Sequence, residues 1–420
     1  MKITLVNTSD TNGGAAVACN RLLNALNSQN TSANLLVQKQ QSNSTFVKST
    51  TNSFIKTKLN FYRFAYERLL FAIKEKSKEV RFAFSLANIG EDISKSILIK
   101  QSDIIHLHWI NFGFLSFRSL KKLFALNKPI VWTLHDMWTF TGGCHYGGDC
   151  IAYQTECSNC PFLKHPHNKD ISNKLWHKKQ QLYANKNITF VTCSNWLADI
   201  ARSSSLLKHF RIESIPNPID VSTYKPLDKQ SLRNSMNLDN NKKYLLFGSM
   251  NIEDKRKGFN YLSQALEILN IKHPELKESI ELIVFGKSNQ SVFNTLPYKT
   301  NDLGMLKEEN KIVEAYNVAD LFILPSLEDN LPNTIMESLS CGTPVVAFNT
   351  GGIPEMIEHK SNGYLADYKN AEDLANGIYW TLYQSEHQTL SANARKKVLE
   401  NFTFDIVANK YINLYKDLLK

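Results

Sequence analysis

Four of the seven cysteines of this 420-residue chain lie in one stretch, TGGCHYGGDCIAYQTECSNCP, residues 141–161. Gaps of five, six and two residues separate Cys144, Cys150, Cys157 and Cys160. The last gap is that of a zinc knuckle, and four thiolates make a closed tetrahedral zinc site, in which His145 could replace one cysteine. We therefore predict a structural zinc ion. Reduced thiols in an ordinary loop, disulfides or an iron–sulfur cluster are the open alternatives.

A second stretch, ILPSLEDNLPNTIMESLSCGTPVVAFNTGGIPEMI at residues 323–357, places two carboxylates eight positions apart. Asp329 falls in a polar loop after a strand, and Glu337 falls inside a predicted helix that begins near Asn333. The start of that helix offers unpaired backbone N–H groups to an anion. Carboxylates accept hydrogen bonds from pairs of sugar hydroxyls. The stretch therefore predicts a site for an elongated ligand; the alternative makes Asp329 a helix cap and Glu337 a surface residue.

Short β-branched runs alternate with helical segments, and the pattern begins afresh after RIESIPNPIDVSTYKPLDK. The first set includes KITLVN, DIIHLHW, PIVWTLH and ITFVTCS; the second includes KKYLLFGS, IELIVFG, ADLFILPS and TPVVAFNT. Such runs indicate parallel strands with crossover helices, and the chain is too long for one core. We predict an α/β protein of two doubly wound Rossmann-like domains, residues 1–215 and 229–402, joined by a linker at 216–228. Ligands of such folds lie at the carboxyl ends of strands, which we expect to face the cleft between the domains.

The carboxy-terminal half resembles the retaining GT-B glycosyltransferases of family 4, also called group 1. Their hallmark is a glutamate, seven residues, a second glutamate and GTPVVA; this chain has Asp329, seven residues, Glu337, then SLSCGTPVVAF and GGIPE. Glu328 directly precedes Asp329, but Asp329 holds the family spacing. PIVWTLHDMW matches the strand whose final histidine reaches the donor sugar in relatives. The resemblance implies that His135 and Asp329 are catalytic and orient the donor sugar, and that Glu337 binds the ribose hydroxyls.

The resemblance also implies which residues bind the donor phosphates. DKRKGFNYL matches the family loop whose lysine binds the diphosphate, which points to Lys257 and its neighbour Arg256. TNGGAAVACNRL matches the glycine-rich first loop, where Gly13 and Gly14 let the donor phosphate or the acceptor approach the backbone. Asn333 would supply an N–H group at the start of the predicted helix. By pattern alone, the basic turn could be a solvated loop, and the glycine loop an ordinary strand-to-helix turn.

The implied reaction is transfer of a hexosyl unit, with retention at the anomeric carbon, from a nucleotide-diphosphate sugar. The acceptor would be a glycan or a polyprenyl-diphosphate-linked oligosaccharide, since the cysteine-rich insert resembles that of bacterial members that build capsule or O-antigen polysaccharide. The chain has no Asp-x-Asp motif, so we expect no catalytic metal. The last segment, 403–420, is expected to cross back to the amino-terminal domain, as in relatives. One alternative is a nucleotide-sugar 2-epimerase with the same fold. The other is a non-enzymatic protein, stabilised by the structural zinc, that binds polyanions or membranes.

The net charge of +10 is unevenly spread: residues 52–85 hold eight Lys or Arg against three Glu, alternating with aromatic residues. Such a segment could be a helix lying on an anionic membrane, but we favour an amphipathic helix with its aromatic stripe in the core. No nucleic-acid-binding motif accompanies the charge.

No apolar run reaches the about 18 residues of a transmembrane helix, and the run in MKITLVNTSD is too short for a secretory signal. We expect a cytoplasmic protein with reduced thiols, at the inner face of the membrane if the basic segment binds lipid.

Overall fold

The computed structural model describes residues 1–287 and 290–420, which form two compact units. Unit 1 comprises Met1–Pro218 together with Val407–Lys420. Unit 2 comprises Ile219–Ile406. Each unit is built around its own parallel sheet.

The sheet of unit 1 has seven parallel strands. In chain order they are β1 (Lys2–Ser9), β2 (Ser32–Lys39), β3 (Val47–Ser49), β4 (Ile104–Leu107), β5 (Ile130–Leu134), β6 (Ile188–Thr192) and β7 (Arg211–Ser214). The spatial order is β3-β2-β1-β4-β5-β6-β7, so the strand order reverses between β1 and β4. Every residue of β4, β5 and β6 is buried, because helices cover both faces of a doubly wound sheet.

Helices connect these strands. They are α1 (Gly14–Ser28), α2 (Phe54–Ala72), α3 (Ile97–Gln101), α4 (Phe117–Phe124), α5 (Ile171–Tyr183) and α6 (Asn195–Ser203). Side-chain oxygens of Ser53, Ser116, Asp170 and Ser194 cap α2, α4, α5 and α6. Helix α1 begins instead after Gly13, whose φ of 93° favours glycine.

Unit 2 repeats the plan with six parallel strands among its described residues. The strands are β8 (Lys243–Asn251), β9 (Ile280–Lys287), β10 (Lys299–Asp302), β11 (Leu321–Leu324), β12 (Val345–Phe348) and β13 (Gly363–Ala366). The helices are α7 (Lys229–Ser235), α8 (Phe259–Lys272), α9 (Glu309–Val318), α10 (Asn333–Ser340), α11 (Ala371–Tyr379) and α12 (His387–Asn401). The order β10-β9-β8-β11-β12-β13 reverses between β8 and β11.

The last helix, α13 (Phe404–Leu418), lies mostly in unit 1. The Tyr415 hydroxyl is 2.7 Å from Nδ1 of His106, and the Tyr411 hydroxyl is 3.1 Å from Oγ1 of Thr133. Both units are doubly wound α/β domains, which confirms the predicted fold class. Within the described part of the chain, no helix has the length and apolar character needed to cross a membrane.

Helix α2 does not bury its aromatic stripe. The buried residues of this fully described helix are Glu67, Arg68 and Phe71, whereas Phe54 is 74% exposed. Nη2 of Arg68 pairs with Oε1 of Glu67 at 2.9 Å, and Nη1 of Arg68 donates to the Phe84 carbonyl at 2.8 Å. The interpretation that placed the aromatic stripe in the core is therefore wrong, because the face that the helix buries holds the Glu67–Arg68 ion pair and, of the aromatic residues, Phe71 alone.

Candidate active site

Two loops meet at the carboxyl ends of β8 and β11, where the strand order of unit 2 reverses. The loop after β8 contains a short turn, Lys255–Lys257, which Asp254 caps by accepting a hydrogen bond from the Arg256 amide at 3.0 Å. Gly258 ends this turn with φ +72°, and a Cβ there would lie 1.9 Å from the Pro325 carbonyl oxygen. Only glycine therefore lets the basic turn pack this closely on the loop after β11.

This packing brings Lys257 and Asp329 into contact. Nζ of Lys257 lies 2.6 Å from Oδ2 of Asp329, and the two side chains are 18% and 10% exposed. Nη1 of Arg256 is 4.0 Å from Oδ1 of Asp329 and donates to the Glu328 carbonyl at 2.9 Å. The carboxylate that meets the basic turn is thus that of Asp329, while Glu328 contributes a backbone oxygen.

Asp329 is held as an anion. Burial by itself would raise the pKa of this carboxyl, but the charges of Lys257 and Arg256 and the hydrogen bonds from Lys257 and Ser326 lower it overall. The Gly351–Gly352 turn fixes its backbone: the Gly352 amide donates to the Asp329 carbonyl at 3.2 Å. A lysine, an arginine and an ionised aspartate therefore converge at this edge of the sheet.

Helix α10 carries the second predicted carboxylate. Pro332 is its N-cap and provides no side-chain cap, and Asn333 is its first residue. Glu337 is buried, and its Oε2 accepts a hydrogen bond from the Tyr316 hydroxyl at 3.0 Å. The alternative that made Asp329 the helix cap and Glu337 a surface residue is wrong, because Pro332 takes the cap position and Glu337 faces the interior.

In unit 1, the buried His106 and His108 cluster with the half-buried His135 at β4 and at the ends of β4 and β5. His106 lies on β4, and its two ring nitrogens each lie 2.7 Å from a hydroxyl oxygen. Nδ1 of His108 is 3.0 Å from Nε2 of His135, and Nδ1 of His135 is 3.7 Å from Sγ of Cys193. Burial lowers the pKa of His135 to about 4, although Asp136 opposes this shift. His135 is therefore a neutral imidazole at neutral pH, suited to hydrogen bonding rather than to carrying a charge.

Sequence reasoning did not single out Asp136, which follows His135. Its Oδ2 accepts from Nε1 of Trp109 at 2.9 Å and lies 2.7 Å from Nδ1 of His145, and its Oδ1 accepts from the Trp138 amide at 2.8 Å. Burial would raise the pKa of Asp136, but His145 and these hydrogen bonds lower it overall. The adjacent histidine and aspartate in WTLHDMW could have indicated this residue. The histidine that contacts the Asp136 carboxylate, His145, lies in the cysteine-rich stretch.

The predicted site residues thus fall into two groups. The structure places Gly13, Gly14 and His135 in unit 1, and Arg256, Lys257, Asp329, Asn333 and Glu337 in unit 2. Gly13 precedes α1 at the carboxyl end of β1, and a Cβ built on it would meet none of the described atoms within 4 Å. That open backbone suits the close approach predicted for the glycine loop.

The four cysteines of the 141–161 stretch line one small cavity of about 20 Å³. Among residues 1–287 and 290–420, however, no group of three or more His, Cys, Asp or Glu side chains is placed to hold a metal ion. The zinc site predicted on Cys144, Cys150, Cys157 and Cys160 is therefore not supported by the structure.

Protein contacts hold this loop instead. Burial raises the pKa of Cys157 to about 11 and that of Cys160 to about 12, which favours neutral thiols. The Gly142 amide donates to Sγ of Cys157 at 3.1 Å, and the Cys160 amide donates to Oδ2 of Asp170 at 2.9 Å. All seven cysteines of the chain are free, so the disulfide alternative is not what the structure shows.

Two family models match this chain. The model described as "Glycosyltransferase Family 4" matches residues 12–223, about half of the chain, and the model described as "Glycosyl transferases group 1" matches residues 228–397. The chain belongs to glycosyltransferase family 4. The two units are thus the two Rossmann-like domains of a GT-B glycosyltransferase, and the clusters described above lie in an enzyme.

Two of the curated relatives are glycosyltransferases by name. A protein of Escherichia coli K12 named as a colanic acid biosynthesis glycosyl transferase, WcaC, is 25% identical over 75% of this chain and 75% of its own length. A UDP-Gal:alpha-D-GlcNAc-diphosphoundecaprenol alpha-1,3-galactosyltransferase of Escherichia coli is 24% identical over 60% of this chain and 66% of its own length.

Two solved structures share the fold over nearly all of the chain. Sucrose-phosphate synthase from Thermosynechococcus elongatus has a TM-score of 0.69 at 17% identity, covering 100% of this chain and 99% of the other. Anabaena Alr3699/HepE in complex with UDP-glucose has a TM-score of 0.64 at 17% identity, covering 99% of this chain and 100% of the other.

Proposed function

We propose that this glycosyltransferase moves a hexosyl unit from a nucleotide-diphosphate sugar to a glycan or lipid-linked acceptor, with retention of the anomeric configuration. The observation that carries the proposal is the Lys257–Asp329 pair, with Arg256 beside it, at the strand-order reversal of unit 2. In open α/β sheets, that position is where ligands bind. The HepE structure with UDP-glucose supports a nucleotide-sugar donor for this fold.

Each residue of unit 2 then has a defined task. As the bond between the sugar and the diphosphate breaks, negative charge develops on the diphosphate. Lys257, Arg256 and the N–H groups at the start of α10, near Asn333, stabilise that charge with fixed positive groups. Glu337 holds the ribose hydroxyls, and Asp329 orients the donor sugar. In the free protein, Asp329 keeps the Lys257 ammonium in position until the diphosphate arrives.

In unit 1, we assign His135 a hydrogen bond to the donor sugar, and we assign Gly13 and Gly14 close contact with phosphate or acceptor. These assignments rest on the family resemblance. The neutral imidazole of His135 supports a hydrogen-bonding role, because a ring with a pKa of about 4 does not carry a proton to the reaction at neutral pH.

A screen of UDP- and GDP-sugars tests this function directly. We expect release of the nucleoside diphosphate from one donor, and NMR of the glycoside product should show the same anomeric configuration as the donor. An isomerised nucleotide sugar instead would identify a 2-epimerase. A product of inverted configuration would refute the retaining mechanism while leaving the transferase in place.

We further propose that the acceptor is carried by a lipid and that α2 docks on the anionic inner face of the membrane, in surface polysaccharide synthesis. The galactosyltransferase relative is named for a diphosphoundecaprenol acceptor. Helix α2 and the residue after it expose an apolar stripe at helical spacing: Ile55, Leu59, Tyr62, Tyr66, Leu69 and Ile73. Lysines flank the stripe at both ends and are exposed: Lys56, Lys58, Lys74, Lys76 and Lys78.

Charge and apolar area both favour an anionic bilayer. Each large apolar side chain that leaves water contributes about 1.5–3 kcal/mol when fully buried, and each lysine near an anionic surface about 1 kcal/mol. Ile55 is 78% exposed and Leu69 is 63% exposed, so most of that gain is still available in the free protein. The exposed stripe rimmed with lysines is the pattern of an interfacial helix.

Vesicle co-sedimentation tests the docking. The protein should pellet with phosphatidylglycerol vesicles, and the Ile55→Ser/Leu69→Ser variant should remain in the supernatant. Ile271→Ser is the matched control, because Ile271 lies on α8 of unit 2 and is also 78% exposed. Equal binding to neutral and anionic vesicles, or equal loss in both variants, would disprove docking through α2.

A further inference from the structure

The cysteine-rich stretch contacts the residues that follow His135. His145, which lies in this stretch, has its Nδ1 2.7 Å from Oδ2 of Asp136. The Met137 amide donates to the His145 carbonyl at 2.8 Å. The side chains of Asp136 and His145 are only 13% and 8% exposed, so water competes little with their contact. One residue of the stretch therefore holds the two residues after His135.

Backbone pairing places His145 at this position. The His145 amide donates to the Ala83 carbonyl at 2.9 Å. The Ser85 amide donates to the Gly143 carbonyl at 2.8 Å, so the two segments pair as antiparallel strands do. Gly143 has φ +138°, and a Cβ there would lie 2.4 Å from the Phe84 ring. Only glycine therefore lets the stretch pair this closely, and the position of His145 is built into the fold.

The direction of the hydrogen bond between His145 and Asp136 follows from chemistry. An ionised carboxylate only accepts hydrogen bonds, so Nδ1 of His145 carries the proton that Asp136 accepts. Nε2 of His145 lies 2.8 Å from Oγ of Ser85, a hydroxyl that can donate to the ring or accept from it. His145 therefore donates to Asp136 whether its ring is neutral or protonated.

Ser85, His145 and Asp136 have the order of contacts of a hydrolytic Ser-His-Asp triad, but the serine lacks access to a substrate. Ser85 is 1% exposed. A nucleophilic serine has to reach the carbon atom that it attacks, and a hydroxyl enclosed to this degree does not. The arrangement is therefore suited to holding Asp136 in place.

Asp136 in turn connects the segments that carry His108 and His135. Its Oδ2 also accepts from Nε1 of Trp109, the residue after His108, at 2.9 Å. Nδ1 of His108 lies 3.0 Å from Nε2 of His135. One carboxylate therefore fixes the residues next to both histidines, at the carboxyl ends of the neighbouring strands β4 and β5. That edge is where α/β sheets bind ligands.

We propose that Asp136 and His145 are positioning residues: the cysteine-rich stretch presents His145 to Asp136, and this contact holds His135 where it binds the donor sugar. The proposal rests on the proposed function, which gives His135 that hydrogen bond. Loss of the contact leaves the His135 backbone and the Trp109 ring free to move. The cysteine-rich stretch then acts on the reaction through His145.

Two substitutions of His145 separate its two contacts. An asparagine amide can replace Nδ1 and still donate to Asp136, whereas a glutamine amide reaches the position of Nε2 and contacts Ser85 instead. In His145→Gln we expect the kcat of donor turnover to fall about 10- to 100-fold, the penalty for misplacing a group beside the reacting atoms, with a smaller change in the donor KM. His145→Asn should keep most of the turnover. Equal losses, or a larger loss in His145→Asn, overturn the proposal.

Asp136→Asn is the second variant and keeps the size of the side chain. Asparagine has one acceptor oxygen in place of two, so either the Trp109 indole or the Trp138 amide loses its acceptor. Turnover should fall at least as far as in His145→Gln. The double variant should lose no more than about twofold beyond Asp136→Asn, because both substitutions act through one contact. Normal turnover in folded Asp136→Asn overturns the proposal.

The ring signals of His135 give a readout that does not depend on activity. In protein labelled with ¹⁵N-histidine, these signals, assigned with His135→Gln, should change in His145→Gln and stay close to those of the wild type in His145→Asn. Unchanged His135 signals in folded His145→Gln overturn the proposal. Melting temperatures show which variants fold, and if His145→Gln does not, Asp136→Asn decides by the same two readouts.

His177→Gln is the matched control. Nε2 of His177 lies 2.8 Å from a carboxylate oxygen of Glu156 in the same unit, but these side chains are 46% and 47% exposed. Neither turnover nor the His135 signals should change in this variant, and a change as large as that in His145→Gln overturns the proposal. If the wild type turns over no nucleotide sugar, the proposed function fails, whereas the NMR signals still decide whether His145 and Asp136 position His135.

Discussion

Replacing Lys257 with methionine tests the centre of the proposed donor site. Nζ of Lys257 is 2.6 Å from Oδ2 of Asp329, with side chains 18% and 10% exposed. The Coulomb attraction at that distance is about 6 kcal/mol for an effective dielectric constant near 20, and desolvation of both groups offsets much of it. Breaking a buried pair costs about 3–5 kcal/mol, because the other charge is left unpaired. Arg256 stays 4.0 Å away, so we expect the lower figure, about 3 kcal/mol, for unfolding of unit 2.

The effect on catalysis should be separable from that loss of stability. If Lys257 stabilises the departing diphosphate, turnover should fall about 10²- to 10³-fold, with a smaller change in the KM of the donor. The double variant Lys257→Met/Asp329→Asn leaves no unpaired charge, so it should recover much of the stability and none of the turnover. Lys255→Met is the control, because Lys255 lies on the same turn and is exposed.

Two assays suffice for this test. Release of nucleoside diphosphate measures turnover, and hydrogen exchange of the buried amides of β11 and β12 measures the stability of unit 2. Normal donor turnover in Lys257→Met would refute the assignment of this residue. Recovery of turnover in the double variant would show that Lys257 acts only by neutralising Asp329.

Three further outcomes follow from the structure. Glu337→Gln should raise the donor KM about tenfold in nucleotide titrations while unit 2 stays folded, because an oxygen still faces the neighbouring tyrosine. Gly258→Ala should destabilise unit 2 in thermal melts by more than about 1 kcal/mol, because its Cβ would lie 1.9 Å from the Pro325 oxygen at φ +72°. Burial lowers the pKa of His106 to about 3 and that of His135 to about 4. As the pH falls from about 6.5, these two histidines therefore bind protons in the unfolded chain but not in the folded one. Urea titrations should show unit 1 losing up to about 1.4 kcal/mol per pH unit for each histidine between about pH 6.5 and 4, and His106→Gln should reduce that slope.

Local patterns in the sequence were sufficient to predict the fold class and the family. Continuous apolar runs such as IVWTL become fully buried parallel strands, because a run without polar alternation has to be covered on both faces. The spacing of Asp329 and Glu337 depends on one loop and one helix, which are adjacent in the chain. Features that depend on neighbouring residues can therefore be predicted without the tertiary structure.

Contacts between distant parts of the chain could not be predicted in this way. Lys257 meets Asp329 because β8 and β11 are neighbours in the sheet, and the hydrogen bond between His108 and His135 depends on the pairing of β4 with β5. No local pattern records strand order. The same limit explains why His145, predicted as a spare zinc ligand, was not recognised as the partner of Asp136.

Two predictions failed because side-chain placement decides them. Cysteine spacing fits a zinc site, yet spacing does not determine whether the sulfur atoms take the positions of metal ligands, and no such group is found among the described residues. The apolar stripe of α2 has the periodicity of a core helix, but the buried Glu67–Arg68 pair anchors the opposite face. The sequence by itself determined the two parallel-sheet domains, the family and the pair of carboxylates, because these depend on short-range patterns. Only the tertiary structure decided which charges pair, which histidines touch and which face of α2 meets solvent, because those depend on strand order and packing.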